Sequence, residues 1–235
     1  MTKNVLVTGG NRGIGLEVVK GLLQEGYKVL LACRDEESGL EAKKDIVGGD
    51  LHVIEMPLDN ETAIVDAFVR AEAVFGPIDI LVNNAGVLDD TYWRDVSAEQ
   101  FAKISMQVNV NAPLTLIQQA LPQMIERKFG RIINVSSSYG SFDDQLQGPL
   151  CYAISKAALN ALTVKMAAVV DEAAKDDDID VMVNSMTPGW VHTRMGGADA
   201  PKTPKEGADT IIWLAMHKKG GPNGKFFKDR KAINW

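Results

Sequence analysis

The sequence predicts an α/β fold: one doubly wound domain in which a mostly parallel sheet of seven strands carries helices on both faces. Three observations lead there. Short, almost continuously apolar runs recur along the chain, segments with helical spacing separate them, and a glycine cluster closes the first run. Strands that are apolar throughout are buried on both faces, the condition of a parallel sheet covered by helices.

Taken in order, Asn4 to Thr8 is the first strand, followed by helical spacing from Gly15 to Gln24. Tyr27 to Ala32 and Leu51 to Met56 are the second and third strands, and Glu61 to Phe75 is helical. Ile78 to Val82 comes next, then a long helical stretch from Ala98 to Arg127. Arg131 to Ser136 is the fifth strand, and a helix from Cys151 to Ala174 leads into the sixth, Ile179 to Met186. Pro204 to Met216 reads as helix and Gly224 to Lys228 as a short seventh strand. No repeat, low-complexity tract or long linker interrupts this alternation, so residues 1–235 are expected to form a single domain. The acidic run Asp171 to Asp180 reads as a solvated helix end and loop.

Composition narrows the function classes. With 46% hydrophobic and 24% charged residues, the chain has the make-up of a soluble globular protein. Its formal net charge of -6 speaks against binding nucleic acid or an anionic membrane by bulk electrostatics. Cys33 and Cys151 are too few for a disulfide scaffold, so a reducing compartment, the cytoplasm, is expected. The opening MTKNVLVTGG reads as a buried strand rather than a signal peptide. No stretch approaches the ~18 apolar residues of a membrane span, and no metal site is expected.

The chemistry starts at Thr8-Gly9-Gly10-Asn11-Arg12-Gly13-Ile14-Gly15, between the first strand and the first helix. Glycines there let the backbone turn tightly and approach a diphosphate, while the helix N-terminus offers free N–H groups and a positive dipole end. A plain strand-to-helix turn uses similar residues, so the placement after the first strand carries the weight. TGxxxGIG in this position resembles the short-chain dehydrogenase/reductase family. The resemblance covers essentially the whole chain. The stretches TGGNRGIGL, CRD, PGWVHTRMGG, TPKEGAD and NGKFFKDRKAINW are similar to its carbonyl reductase branch. It implies a Rossmann domain that binds a nicotinamide dinucleotide and acts on a small-molecule carbonyl.

The resemblance sets the dinucleotide against Gly9, Asn11, Arg12, Gly13, Ile14 and Gly15, against Leu58 and Asp59, and against Asn83, Ala85 and Gly86 of the NNAG motif. Asp59 matches the family's adenine contact and reads equally well as the N-cap of a helix beginning near Asn60. Pro188, Gly189, Val191 and Thr193 match the PG motif, with Thr193 at the nicotinamide carboxamide. Binders of NAD place an acidic residue at the end of the second strand. Here Cys33 stands in that position and Arg34 follows it. Arg34 and Arg12 together would suit a ribose 2′-phosphate, although each also reads as a surface arginine. Asp35 would either repel a phosphate or pair with Arg34. NADP(H) is the expected cofactor, in preference to NAD.

Tyr152 and Lys156 are four apart and share one face of a helix. Reducing a carbonyl requires hydride at carbon and a proton at the developing alkoxide. A tyrosine with its usual pKa of about 10 is a sluggish acid/base at neutral pH, and a neighbouring ammonium and the charged nicotinamide are expected to lower it. The resemblance makes Tyr152 the acid/base, Lys156 its partner and Ser137 the hydroxyl on the substrate oxygen, with Ser136 and Ser138 open as alternatives. It makes Asn109 the asparagine that holds a water in the proton relay, with Asn111 as rival. Ser137, Tyr152 and Trp190 are expected to line the substrate pocket. Tyr92, Trp93, Tyr139 and Phe142 read as pocket, core or surface. The segment from Met195 to about Thr210 reads as a lid or an ordinary loop.

The function so read is an NADPH-dependent reductase, reversibly an alcohol dehydrogenase, of small or aromatic aldehydes, ketones or quinones. A dinucleotide-sensing regulator with little turnover is the rival. A sugar-nucleotide epimerase is disfavoured because little chain follows the seventh strand. Animal carbonyl reductases carry a long insertion before the catalytic tyrosine, and SSSYGSFDDQLQGPLCY lacks it. Helix pairing through Ala157, Ala161, Val164 and Ala168 is therefore expected to give a homodimer or homotetramer.

Overall fold

The computed structural model describes residues 2–175 and 177–235. Eight strands form one sheet in the order β3-β2-β1-β4-β5-β6-β7-β8. They are β1 (Asn4–Thr8), β2 (Lys28–Cys33), β3 (Asp50–Glu55), β4 (Ile80–Asn83), β5 (Phe129–Val135), β6 (Asp180–Met186), β7 (Phe226–Lys228) and β8 (Lys231–Ile233). All pairings from β3 to β7 are parallel, and β8 alone runs antiparallel. The helices are α1 (Gly13–Gln24), α2 (Glu36–Lys44), α3 (Glu61–Phe75), α4 (Ala98–Gln100), α5 (Ala112–Glu126), α6 (Leu150–Ala173) and α7 (Pro204–Ala215).

Alternation along each strand divides the interior into two cores. Leu6, Leu30, Leu81 and Ile132 face one core with Phe68 of α3 and Leu116 of α5. Val5, Val7, Leu31, Val82 and Ile133 face the other with Val18 and Leu22 of α1 and Ile211 of α7. In α1 the buried positions Gly15, Val18, Val19, Leu22 and Leu23 form the stripe that binds it to the sheet.

Several sequence expectations need correction. The sheet has eight strands rather than seven. The added hairpin turns through Asp229 and Arg230 at φ of 49° and 60°, a left-handed turn without the glycine that usually announces it. Helix α2 was not expected, because among its residues only Gly39 is buried and no apolar stripe exists. The stretch from Ala98 to Arg127 is not one helix. Phe101–Asn111 is π-helical, and only then does α5 begin. Helix α6 is, by length and apolarity, capable of crossing a membrane, against the expectation that no stretch approaches a span. In this fold its inner face packs on the sheet, with Tyr152, Lys156, Leu159 and Thr163 buried. The second half of the proposed lid segment is the start of α7, packed on α1.

Candidate active site

The strand order reverses between β1 and β4. Open α/β sheets bind ligands beyond the carboxyl ends of strands at such a point. The two strand ends are locked together here. Thr8 Oγ1 accepts the backbone N–H groups of Asn84 and Ala85, both at 3.0 Å. The Asn84 amide donates to the carbonyls of Thr8, at 2.9 Å, and Gly9, at 3.2 Å. Gly9 and Gly13 sit at φ of +63° and +53°, where a side chain is strained. A Cβ on Gly15 would lie 2.3 Å from the Gly9 carbonyl oxygen. Arg12 caps α1 without a side-chain hydrogen bond, so the first-turn N–H groups are left for an outside acceptor. A glycine cradle ending in an uncapped helix of 12 residues fits a diphosphate.

Beyond the end of β2, Asp35 is held as the N-cap of α2, accepting the Ser38 N–H at 2.9 Å. Those Ser38 hydrogen bonds, then the fields of Arg34 and Arg12, hold its carboxyl below the usual range. Both arginines therefore act on one spot, although they come from different loops. The Asn11 amide donates to Ser38 Oγ at 2.9 Å and ties the glycine turn to α2. Cys33 is buried beneath, its thiol pushed up to about 11 chiefly by burial. Asn60, not Asp59, caps α3, so Asp59 is exposed and free of that role. The Leu58 carbonyl accepts from the Gln107 side chain at 3.2 Å.

Asn83 does not face the cleft. It is buried and its amide donates to Asn134 Oδ1 at 2.8 Å. Asn134 donates in turn to Thr163 Oγ1, which shares a 2.8 Å hydrogen bond with Ser185 Oγ. This polar ladder pins α6 to β4, β5 and β6. Ala85 and Gly86 do lie on the site side. A Cβ on Gly86 would be 3.2 Å from Asn109 Oδ1 and 3.3 Å from Lys156 Nζ.

Tyr152 and Lys156 are both buried on the inner face of α6. Lys156 Nζ donates to the Val135 carbonyl at 2.9 Å and lies 5.5 Å from the Tyr152 ring centroid. Burial lowers Lys156 to about 8. Tyr152 is pushed up to about 12 by burial, with the Ser137 hydroxyl drawing it the other way. In the chain by itself, loss of hydration outweighs the hydrogen bond to the phenolate; the expected lowering also counts the charge of the nicotinamide. Ser137 is the serine beside Tyr152. Ser136 is buried and donates to the Lys156 carbonyl at 3.3 Å, while the Ser138 N–H donates to Thr187. Gly140 packs where a Cβ would be 2.6 Å from the Lys156 carbonyl carbon.

Asn109 is wholly buried at the end of the π-helical stretch. It accepts the Val87 N–H and donates to the Val87 carbonyl and to Ser155 Oγ, all at 2.9 Å. Asn111 is exposed and bonded to Gln107. Pro113, lacking an N–H, cannot close an α-helical bond to the Asn109 carbonyl. Sequence reasoning missed Thr8, Asn84 and Ser155 as the fasteners of these groups. Ser155, a polar residue between Tyr152 and Lys156 on an apolar helix, was the available signal.

Beyond β6, Gly189 takes φ +78°. Thr193 meets the glycine turn, its Cγ2 lying 3.3 Å from where a Gly13 Cβ would be. The Val191 carbonyl accepts from Thr193 Oγ1 at 3.3 Å, and the Pro188 carbonyl from Lys202 Nζ at 3.4 Å. Trp190 is 56% exposed, its indole N–H donating to the Gly196 carbonyl at 2.7 Å. Ile14 and Val191 both lie against Gly207 of α7. Among the described residues no cluster of three or more His, Cys, Asp or Glu is placed to hold a metal.

A buried tyrosine and lysine beside a serine hydroxyl, opposite a glycine-rich cradle at a parallel sheet's switch point, define an oxidoreductase. Residues 3–203 match the family model for short chain dehydrogenases, and the chain belongs to that family. It is 29% identical to carbonyl reductase [NADPH] 1 of Rattus norvegicus, covering 98% of this chain and 97% of that one. That alignment spans 279 positions against 235 residues here, so the rat chain carries insertions that this one lacks. It is 32% identical to acetoacetyl-CoA reductase of Rhizobium meliloti, covering 94% and 93%. The NADPH-bound carbonyl reductase from chicken fatty liver superposes with a TM-score of 0.82 at 28% identity, covering 100% of this chain and 99% of that chain.

Proposed function

We propose that the protein is a single-domain, NADPH-dependent reductase of small or aromatic aldehydes, ketones or quinones, with Tyr152 as the general acid/base. The placement of Tyr152, Lys156 and Ser137 over the glycine cradle carries this reading. The nicotinamide dinucleotide supplies the hydride. Gly9, Asn11, Gly13, Ile14 and Gly15 would hold its diphosphate, Leu58, Asp59 and Ala85 its adenosine side, and Gly86, Pro188, Gly189, Val191 and Thr193 its nicotinamide side.

The chain's own residues do the rest. Burial keeps Tyr152 protonated at neutral pH, so it can donate to an oxygen that becomes an alkoxide. Ser137 hydrogen-bonds the same oxygen. The Lys156 ammonium stabilises the phenolate left behind, and Asn109 holds the Gly86–Val87 backbone beside it. Trp190 edges the pocket. Arg12 of the glycine turn and Arg34 after β2 favour a 2′-phosphate and hence NADPH over NADH, while Asp35 is engaged as the cap of α2.

Two tests bear on this. Purified protein should consume NADPH, followed by its near-ultraviolet absorbance, with benzaldehyde or menadione. NADPH binding without turnover of any carbonyl would favour the dinucleotide sensor instead. The likeness to an acetoacetyl-CoA reductase raises a second substrate class, thioesters of an anionic carrier. A homodimer or homotetramer is proposed on the row Ala157, Ala161, Val164 and Ala168, of which α6 leaves the last three exposed and Ala157 half-buried. Light scattering should show it, and Val164→Arg should shift the protein to monomer.

A further inference from the structure

A groove beside the start of α6 takes no part in the proton transfer described above. Tyr92 and Trp93 form one wall, Leu146, Pro149, Ala153 and Ile154 the other, around a cavity of about 480 Å³. Gly148, in its lining, packs against the Tyr139 ring, which lies between the groove and Tyr152. A Cβ on Gly148 would lie 2.4 Å from the Tyr139 ring, and Tyr139 stands edge-on to Tyr152 with centroids 6.4 Å apart. The walls are largely apolar, and the two loops that supply them on either side of α6's start are acidic. Residues 87–97 carry Asp89, Asp90 and Asp95 against Arg94 alone, whose guanidinium lies over the Trp93 ring at 4.9 Å. Residues 137–149 carry Asp143 and Asp144 and no basic residue. A turn closed by the Leu146 N–H on the Ser141 carbonyl, at 3.0 Å, presents these two carboxylates to solvent. Asp90 lines the groove itself. The field of Asp89 reaches inward to Cys151, whose thiol is raised first by burial and then by that carboxylate.

We propose that this groove selects carbonyl substrates by charge. It accepts an aromatic group that carries no negative charge, favours a cationic one, and turns away carbonyls borne on an anionic carrier such as a coenzyme A thioester. The selection rests on the reductase reading above. Its physical basis is a net negative field between low-dielectric walls beside the site. A matched charge difference on the substrate exposes that field directly.

The test is initial-rate kinetics with NADPH and three aldehydes: benzaldehyde, 4-carboxybenzaldehyde and 4-(trimethylammonio)benzaldehyde, with acetoacetyl-CoA as the thioester. At low salt kcat/KM should be on the order of tenfold higher for the cation than for the carboxylate. The gap should narrow several-fold at about 1 M salt, where screening cuts the field within a few ångströms. Acetoacetyl-CoA should be a poorer substrate than benzaldehyde. In the Asp90→Lys, Asp144→Lys double variant the cation-to-anion ratio should fall on the order of tenfold relative to the wild-type protein. Comparing the ratio between the two proteins cancels the intrinsic reactivity of the aldehydes. A ratio unchanged by salt and by the double variant would overturn the charge selection, as would acetoacetyl-CoA as the best substrate. Failure of the wild-type protein to reduce any of the four would instead overturn the reductase reading itself. Should the double variant not fold, the salt response and the thioester comparison decide the matter in the wild-type protein.

Discussion

Replacing Thr163 by valine tests whether the buried polar ladder sets the seat of α6. The swap conserves shape and removes one hydroxyl. That hydroxyl has one proton and two lone pairs, and all three are used. The proton goes to the Leu159 carbonyl at 2.9 Å, while Asn134 Nδ2 and the Ser185 hydroxyl each donate to it at 2.8 Å. Valine leaves those two donors unpartnered between α6 and the sheet, where Asn134, Thr163 and Ser185 are each 0% exposed. A buried donor left unsatisfied costs about 1–3 kcal/mol. The ladder should therefore lose about 2–6 kcal/mol, a fall in Tm of roughly 4–24 °C for a chain of this size. Urea unfolding followed by circular dichroism measures the first figure and a thermal scan the second. Thr163→Ser, which keeps the hydroxyl, should recover most of the loss. Thr163 lies on the same helix face as Lys156, two turns away, so kcat should fall more than the KM for NADPH. A Thr163→Val protein within about 0.5 kcal/mol of wild type would refute the reasoning, because it would show that apolar packing alone seats the helix.

Three further outcomes are expected. Tyr152→Phe should abolish carbonyl reduction while fluorescence titration shows NADPH binding within about threefold of wild type. Arg34→Asp should lower the NADPH-to-NADH ratio of kcat/KM on the order of tenfold to hundredfold, the scale of a lost charge-assisted hydrogen bond. An unchanged ratio would remove Arg34 from the ribose site. Lys156 sets a pH dependence of stability: burial lowers it from 10.5 to about 8, so between those values the unfolded chain holds a proton that the folded chain has released. Stability should therefore rise with pH across that window, by up to about 3 kcal/mol relative to Lys156→Met, in urea titrations at stepped pH.

Much of this fold was legible in the chain because its strands are buried on both faces and its inner helices carry apolar stripes. The runs around Val5 to Val7, Val29 to Leu31 and Ile80 to Val82 announce a covered parallel sheet from composition alone. The glycine turn and the Tyr152–Lys156 spacing are also local, since backbone conformation and helix periodicity link residues a few positions apart. Helix α2 was hidden because burial does not hold it. Its signal lay in charge, with Asp35 as cap, Glu36 and Glu37 in the first turn and Lys43 and Lys44 in the last. The β7–β8 hairpin was hidden because Asp229 and Arg230 enter the left-handed region without glycine. Only the tertiary structure decided which way the asparagines and serines face. Asn83 turns into the sheet and Ser137 stands beside Tyr152, because the partners that decide, Asn134 and Thr163 for one and Tyr152 for the other, are brought there by chain folding. It also set the chain's own effect on the tyrosine, which is upward. Sequence adjacency promised a nearby ammonium, but burial, a property of the whole packed chain, sets the larger effect on Tyr152.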